Sequence, residues 1–104
     1  MPTCIFCSIA KKEIPATLVM EDEDLMVFHD IHPKAKHHLL IVPKRHIDSV
    51  MSLQEPDQQL MGKMIWKAKK LGEHLQLEGY QLKQHVGAKG GQEVFHIHLH
   101  FLAD

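Results

Sequence analysis

The sequence predicts an α+β fold: a mainly antiparallel five-stranded sheet with one long helix and one short one. Three observations carry this. Apolar runs of strand length outnumber helical ones. Short turns link several of them as hairpins. Only one segment shows sustained helical periodicity. With 104 residues the chain fits one domain, 1–104, with a modest core.

Residues 4–12 can form the short helix, and Pro15 marks its end. Leu18-Val19-Met20 and Leu25-Met26-Val27-Phe28 read as a hairpin closed by the solvated acidic turn Glu21-Asp22-Glu23-Asp24. His32 to Lys36 is irregular around Pro33. Leu39-Leu40-Ile41-Val42, closed by Pro43, is a continuous apolar run and so a buried strand. Pro56 opens the long helix, where Leu60, Met61, Met64, Ile65, Ala68, Leu71 and Leu75 recur at helical spacing. Core packing is the expectation for Met61, Met64 and Trp66. Gly79 ends this segment. Tyr80 to Val86 reads as the fourth strand, Gly87 to Gly91 as a glycine-rich turn, and Gln92 to Leu102 as the fifth strand.

Apolar residues make up 44% of the chain, too many for a disordered one, and the net charge of −1 creates no global field toward nucleic acid or membrane. The N-terminus has no basic segment followed by a long apolar run, and no stretch approaches the ~20 apolar residues of a membrane span. The expected location is the cytoplasm. In that compartment the close pair Cys4 and Cys7 points to metal or redox chemistry and not to a disulfide.

Ten histidines are the compositional outlier. Imidazoles titrate near neutrality, ligate metals and carry protons. Phe95-His96-Ile97-His98-Leu99-His100-Phe101 alternates without a break. On a strand, Phe95, Ile97, Leu99 and Phe101 would face the core, with His96, His98 and His100 in one row opposite. A polar solvent face, a zinc site and a nucleophilic site are all readings of that row. A wet strand face ordinarily mixes Thr, Lys, Glu and Ser, so three consecutive outward histidines call for a chemical reason. The preceding Lys89-Gly90-Gly91-Gln92 lets backbone N–H groups approach an anion, and phosphate suits a site beside imidazoles.

The stretch Gly90 to His100 resembles the signature of the histidine-triad (HIT) family of nucleotide hydrolases and transferases. Cys4-Ile5-Phe6-Cys7 with Glu13-Ile14-Pro15-Ala16, then Phe28-His29-Asp30-Ile31, then His38 to His46 are similar to its other segments, in order. The nucleoside phosphoramidase branch is the nearest in pattern. It implies a homodimer with a purine nucleotide in each cleft. The substrate would be a purine nucleoside monophosphate held as a phosphoramidate or ester, with no nucleic acid or membrane partner.

The resemblance implies that His98 is the nucleophile and holds the nucleotide covalently. A hydrogen bond from its other nitrogen to a main-chain carbonyl would select the tautomer. His100 would stabilise phosphoryl oxygens and assist protonation of the leaving group, and His38, favoured over His37, belongs to the same network. Backbone donors at Gly91 and Gln92, with the Gln92 side chain, would hold the phosphate, next to Glu93 and Val94. Asp30 would bind the ribose, and Phe28 and Ile31 would wall the base, although Phe28 also suits the core. Some relatives bind zinc through residues matching Cys4, Cys7, His46 and His96, so a structural Zn²⁺ is implied here, with thiols packed as small apolar groups as the alternative. No metal is required for the chemistry.

Two positions depart from the pattern. His85 stands where relatives usually carry Asn, and its charge would vary with pH. Glu93 stands where some carry Ser. Dinucleoside polyphosphate hydrolysis, nucleotidyl transfer, a regulatory nucleotide-binding role and a three-histidine metallohydrolase are the competing functions.

Overall fold

A computed structural model describes residues 4–104. Cys4 caps the first helix, α1 (Ile5–Ala10), its sulfur accepting the Cys7 N–H at 3.4 Å. The helix is shorter than the predicted 4–12, because the chain turns out through Lys12 in the left-handed region, φ 63°. Two strands follow, β1 (Leu18–Glu21) and β2 (Leu25–His29). Their turn is closed by Asp22, whose Oδ1 accepts the N–H groups of Asp24 and Leu25 at 2.8 Å. Strand β3 (His37–Pro43) pairs with β2 on one edge and with β5 (Leu99–Ala103) on the other. The sheet order is β1-β2-β3-β5-β4, with every neighbour antiparallel and β4 (Gln81–Lys83) at the edge.

The long helix α2 (Gln58–His74) grows out of a 3₁₀ turn at Glu55–Asp57, where Pro56 needs no N–H partner and Asp57 accepts from the Gln54 N–H at 2.8 Å. No helix among the described residues is long and apolar enough to cross a membrane. Helix α2 covers one sheet face, with Met64, Ala68 and Leu71 against Leu25, Val27, Leu39, Ile41, Leu99, Phe101 and Ala103. The other face packs Met26, Phe28, Leu40 and Val42 against Phe6 and Ile9 of α1. The acidic turn is exposed, as predicted, but it is also tied to α2 by Lys63–Asp24 and Lys67–Asp22 pairs at 2.7 Å.

Three expectations need correction. Trp66 is not core: it is 58% exposed, with the Lys69 and Lys70 ammonium groups 5.2 and 5.1 Å from its ring. Two residues at ~100° each carry it to the far side of the helix from Met64, and Ile65 also lies outside. The fourth strand stops at Lys83 and not at Val86, because the next acceptor on β5's side, the His98 carbonyl, is taken by the Gln84 side chain at 2.9 Å. The fifth strand begins at Leu99 and not at Gln92. Its ladder with β3 ends at the Ile41–Leu99 pair, two residues before Pro43, which has no N–H to extend it. Phe95, outside the ladder, is exposed, whereas Ile97, Leu99 and Phe101 are buried as predicted.

Two glycines of α2 separate packing from propensity. Nothing lies within 4 Å of a methyl added at Gly62, whereas one at Gly72 would collide with the Tyr80 ring. Gly62→Ala is expected to stabilise the fold by about 0.5–1 kcal/mol, and Gly72→Ala to destabilise it by roughly 1–3 kcal/mol. Thermal unfolding followed by circular dichroism reads both signs.

Candidate active site and metal centre

Between the glycine-rich turn and β5 the chain bends through residues 94–96 outside any ladder, and several of its polar groups find individual partners. Ile97 N–H donates to the Ile47 carbonyl at 2.7 Å. His96 Nε2 lies 2.7 Å from the Pro43 carbonyl, and His98 Nδ1 lies 2.7 Å from the His96 carbonyl. A carbonyl oxygen only accepts, so the proton of each ring sits on the nitrogen facing it. His96 therefore carries a bare Nδ1, and His98 a bare Nε2. Both residues are buried, at 0% and 6% exposure, where an outward polar row was expected. Phe6 meets the His96 and His98 rings edge-on at 5.7 and 5.2 Å.

His38, and not His37, lies beside His100. The Lys34 N–H donates to His38 Nδ1 at 3.0 Å, so the His38 proton is on Nε2. That proton faces His100 Nδ1 at 3.0 Å, with Asp30 Oδ2 at 3.5 Å. His100 in turn keeps its proton on Nε2. The rings of His98 and His100 are 4.9 Å apart, and those of His85 and His100 5.0 Å apart. Burial first, then the neighbouring imidazoles His98, His38 and His85, push His100 down to about 4. Burial likewise lowers His98. Near neutral pH both rings are uncharged. Among the described residues Ser49 Oγ is the one fully buried side-chain polar atom without a partner. The unpartnered nitrogens of His98, His100 and His85 are therefore not fully buried.

The glycine-rich turn closes on itself. Gly91 N–H donates to Ala88 and Gln92 N–H to Gly87, both at 3.1 Å. The Gln92 side chain is buried: it accepts from Gly87 N–H at 2.9 Å and donates to the Asp48 and Val94 carbonyls at 2.7 and 3.0 Å. Within this structure the turn itself engages the Gly91 and Gln92 donors that were expected to face a phosphate. The N–H groups of Glu93 and Val94 have no acceptor among the described residues. Gly91 has φ +92°, and its open Cα side faces the His85 ring, 3.7 Å from where a methyl would sit. Asp30 is half-buried, its Oδ1 accepting the His32 N–H at 2.8 Å. Ile31 is 84% exposed, and Phe28 is buried, 5.4 Å from Phe6 in the apolar cluster.

A second constellation joins Cys4, Cys7, His46 and His96, whose ligand atoms all lie within 4.8 Å of one another. Cys4 Sγ is 3.2 Å from His96 Nδ1, and Cys7 Sγ is 3.2 Å from His46 Nδ1. His46 Nε2–H donates to Asp48 Oδ1 at 2.5 Å, as His96 Nε2–H does to Pro43. Both rings thus turn a lone pair toward two sulfurs and hold the opposite N–H on an oxygen, the arrangement of metal-ligating histidines. Two thiolates and two imidazoles suit tetrahedral zinc. Asp30, His38 and His100 also cluster, but they do not fit a metal. A cation on His38 Nε2 would force the ring proton onto Nδ1, against the Lys34 N–H.

A main-chain carbonyl orienting His98 was expected from the sequence; the partners of His38, His46 and His96 were not. Asp48 had a signal, as a carboxylate two residues beyond His46. Pro43 and Lys34 act through the main chain, so their residue types carry no mark of it; Gln84 donates its side-chain amide to the His98 main-chain carbonyl.

Residues 3–104 match the family described as scavenger mRNA decapping enzyme C-terminal binding. The chain is 45% identical over 103 residues to Protein HitA of Neisseria gonorrhoeae, covering 98% of this chain and 96% of that one. It is 39% identical over 100 residues to the purine nucleoside phosphoramidase of Escherichia coli K12, covering 94% and 84%. Its fold superposes with a TM-score of 0.94 on a HIT family hydrolase from Legionella pneumophila Philadelphia 1, at 47% identity, covering 97% and 92%. With the imidazole row and the glycine-rich turn in the same order as its motif, the chain belongs to the histidine-triad family.

Proposed function

We propose that the chain hydrolyses purine nucleoside 5′-monophosphate phosphoramidates or esters through a nucleotidyl group carried on His98. One observation carries the reading: His98 Nδ1–H is held by a carbonyl, which leaves Nε2 bare, uncharged and not fully buried. The E. coli relative's name, purine nucleoside phosphoramidase, supports the substrate class. Nε2 attacks phosphorus, the Nε2–P bond forms, and the bond to the leaving amine or alcohol breaks with its electron pair. The leaving group takes a proton from solvent. Water then adds to phosphorus and loses a proton, and the Nε2–P bond breaks to restore the imidazole.

His100 offers its Nε2–H to a phosphoryl oxygen, and its orientation comes from His38, which Lys34 holds in turn. The unpartnered N–H groups of Glu93 and Val94 suit the remaining oxygens. Asp30 Oδ2 suits a ribose hydroxyl, and Ile31 the face of the base. Cys4, Cys7, His46 and His96 hold a structural Zn²⁺ that ties α1 and the loop after β3 to the catalytic segment. Cytoplasmic conditions belong to the reading, because both cysteines must stay reduced to ligate metal. So does a homodimer, supported by the uncovered edge of β4 and by exposed Ile65 and Trp66.

Mixing the protein with a labelled adenosine phosphoramidate and quenching in base should trap an adenylyl group on His98. His98→Ala should lose the adduct and at least about a thousandfold in turnover; turnover at the parent rate would remove the proposal. Native mass spectrometry should find one zinc per chain. Asp48→Ala should weaken that zinc by roughly 10–100-fold in a competition titration with a chromophoric chelator. His100 is held low in the folded chain, against the ordinary imidazole value of 6.5. The unfolded chain therefore binds that proton first, so His100 leaves stability untouched above pH 6.5 and erodes it as the pH falls toward 4. The melting temperature should drop across that window, and His100→Gln should flatten part of the drop.

A further inference from the structure

The protons of three imidazoles in the cleft are accounted for by fixed partners. His98 gives its Nδ1–H to the His96 carbonyl. His38 accepts from the Lys34 N–H and donates toward His100. For His38 or His100 to take a second proton, an N–H would have to face a donor already in position. A second proton on His98 would occupy the nitrogen the reaction needs. Each of these rings works in its neutral form.

His85 is different. Neither of its ring nitrogens has a hydrogen-bond partner among the described residues, and neither is fully buried. A second proton would break no bond within the protein. Its ring lies 5.0 Å from that of His100 and packs over the open Cα side of Gly91, at the turn that precedes the unpartnered Glu93 and Val94 N–H groups. The titratable groups facing it are His98 and His100, on the catalytic segment; the turn meets it through Gly91, which carries no charge. On its own segment, Lys83 is exposed and sits opposite His100 in the ladder. Lys89 and Glu93, which flank Gly91, form no ion pair among the described residues. No lysine or arginine side chain is bonded to any imidazole of this cluster among the described residues. The site thus offers an anion several neutral donors and one imidazole able to charge.

We propose that His85 is the proton-switched charge of the cleft: once protonated it pairs with the phosphoryl group of a bound nucleotide, so affinity rises as the pH falls. The inference rests on the reading that the cleft binds a nucleoside monophosphate, and it adds what tunes that binding. The range to scan is about pH 5 to 8, where a free imidazole changes charge. Asparagine at this position could donate a hydrogen bond at every pH but could not make this switch.

The probe is the 5′-methylphosphonate of adenosine, whose single negative charge is constant across that range and whose P–C bond offers no leaving group. Binding to the full chain is measured by calorimetry at several pH values, in buffers of unlike ionisation enthalpy. The expected result is proton uptake on binding and an affinity severalfold higher at the acid end. His85→Asn should abolish both the uptake and the slope, and His85→Lys should bind with neither while staying tight at the alkaline end. Ring ¹⁵N shifts of His85 in the unmutated protein provide a readout independent of variant folding: both nitrogens should be protonated in the complex at the acid end. Binding with a flat pH profile, an unchanged slope in His85→Asn, or a neutral His85 ring in that complex overturns this inference alone. Absence of binding at every pH overturns the nucleotide reading and this inference with it.

Discussion

The site depends on one peptide carbonyl, that of His96. It receives the His98 Nδ1–H at 2.7 Å and so decides which nitrogen of the central ring is bare. As a hydrogen bond it contributes only about 1 kcal/mol to stability, but without it the ring could present a proton where a lone pair is needed. The carbonyl can serve this purpose because the backbone there belongs to no ladder. Pro43 ends the pairing of β3 with β5, and Ile97 N–H and the His96 ring then pin the released segment to Ile47 and Pro43. A fully formed strand through His96 would have engaged that carbonyl with a neighbouring chain.

The same residue joins two chemistries. The His96 ring turns its bare nitrogen toward the cysteines of α1, while its main chain serves the catalytic ring. Phe6, the second residue of α1, lies edge-on to His96, His98 and Phe28, so the segment that supplies the thiols also keeps water from one side of the imidazoles. Burial of this kind disfavours charged rings and strengthens the hydrogen bonds that orient them. The two sheet faces divide the work accordingly. One is closed by α2 over purely apolar residues, and the other grades from apolar contacts with α1 into the imidazole cluster.

Within that cluster, order comes from the ends. The Lys34 N–H sets the proton of His38, and His38 sets that of His100. Neither step depends on the identity of residue 34 beyond its having an N–H, so the loop after β2 acts through its path and not its side chains. The glycine-rich turn behaves similarly. Its first donors close the turn and Gln92 locks it from inside, while the next two N–H groups have no partner among the described residues.

Periodicity alone determined much of the architecture: the β1–β2 hairpin, the buried run of β3, the apolar stripe of α2, and the burial of Ile97, Leu99 and Phe101. These follow from side-chain spacing, a local property. The histidine row, the cysteine pair and the choice of His38 over His37 were legible too, through the motif they form together. Long-range partners were not. Where β5 begins depended on the missing N–H of Pro43 across the sheet, and where β4 ends on a Gln84 side chain taking a carbonyl. Trp66 on the helix exterior, the inward turn of Gln92 and the proton positions on His38, His46, His96 and His100 likewise required the fold. Hydrogen bonds are settled by which partner arrives within reach, and only tertiary structure brings residues 34, 43 and 48 to the rings they orient and Gln84 to the His98 carbonyl.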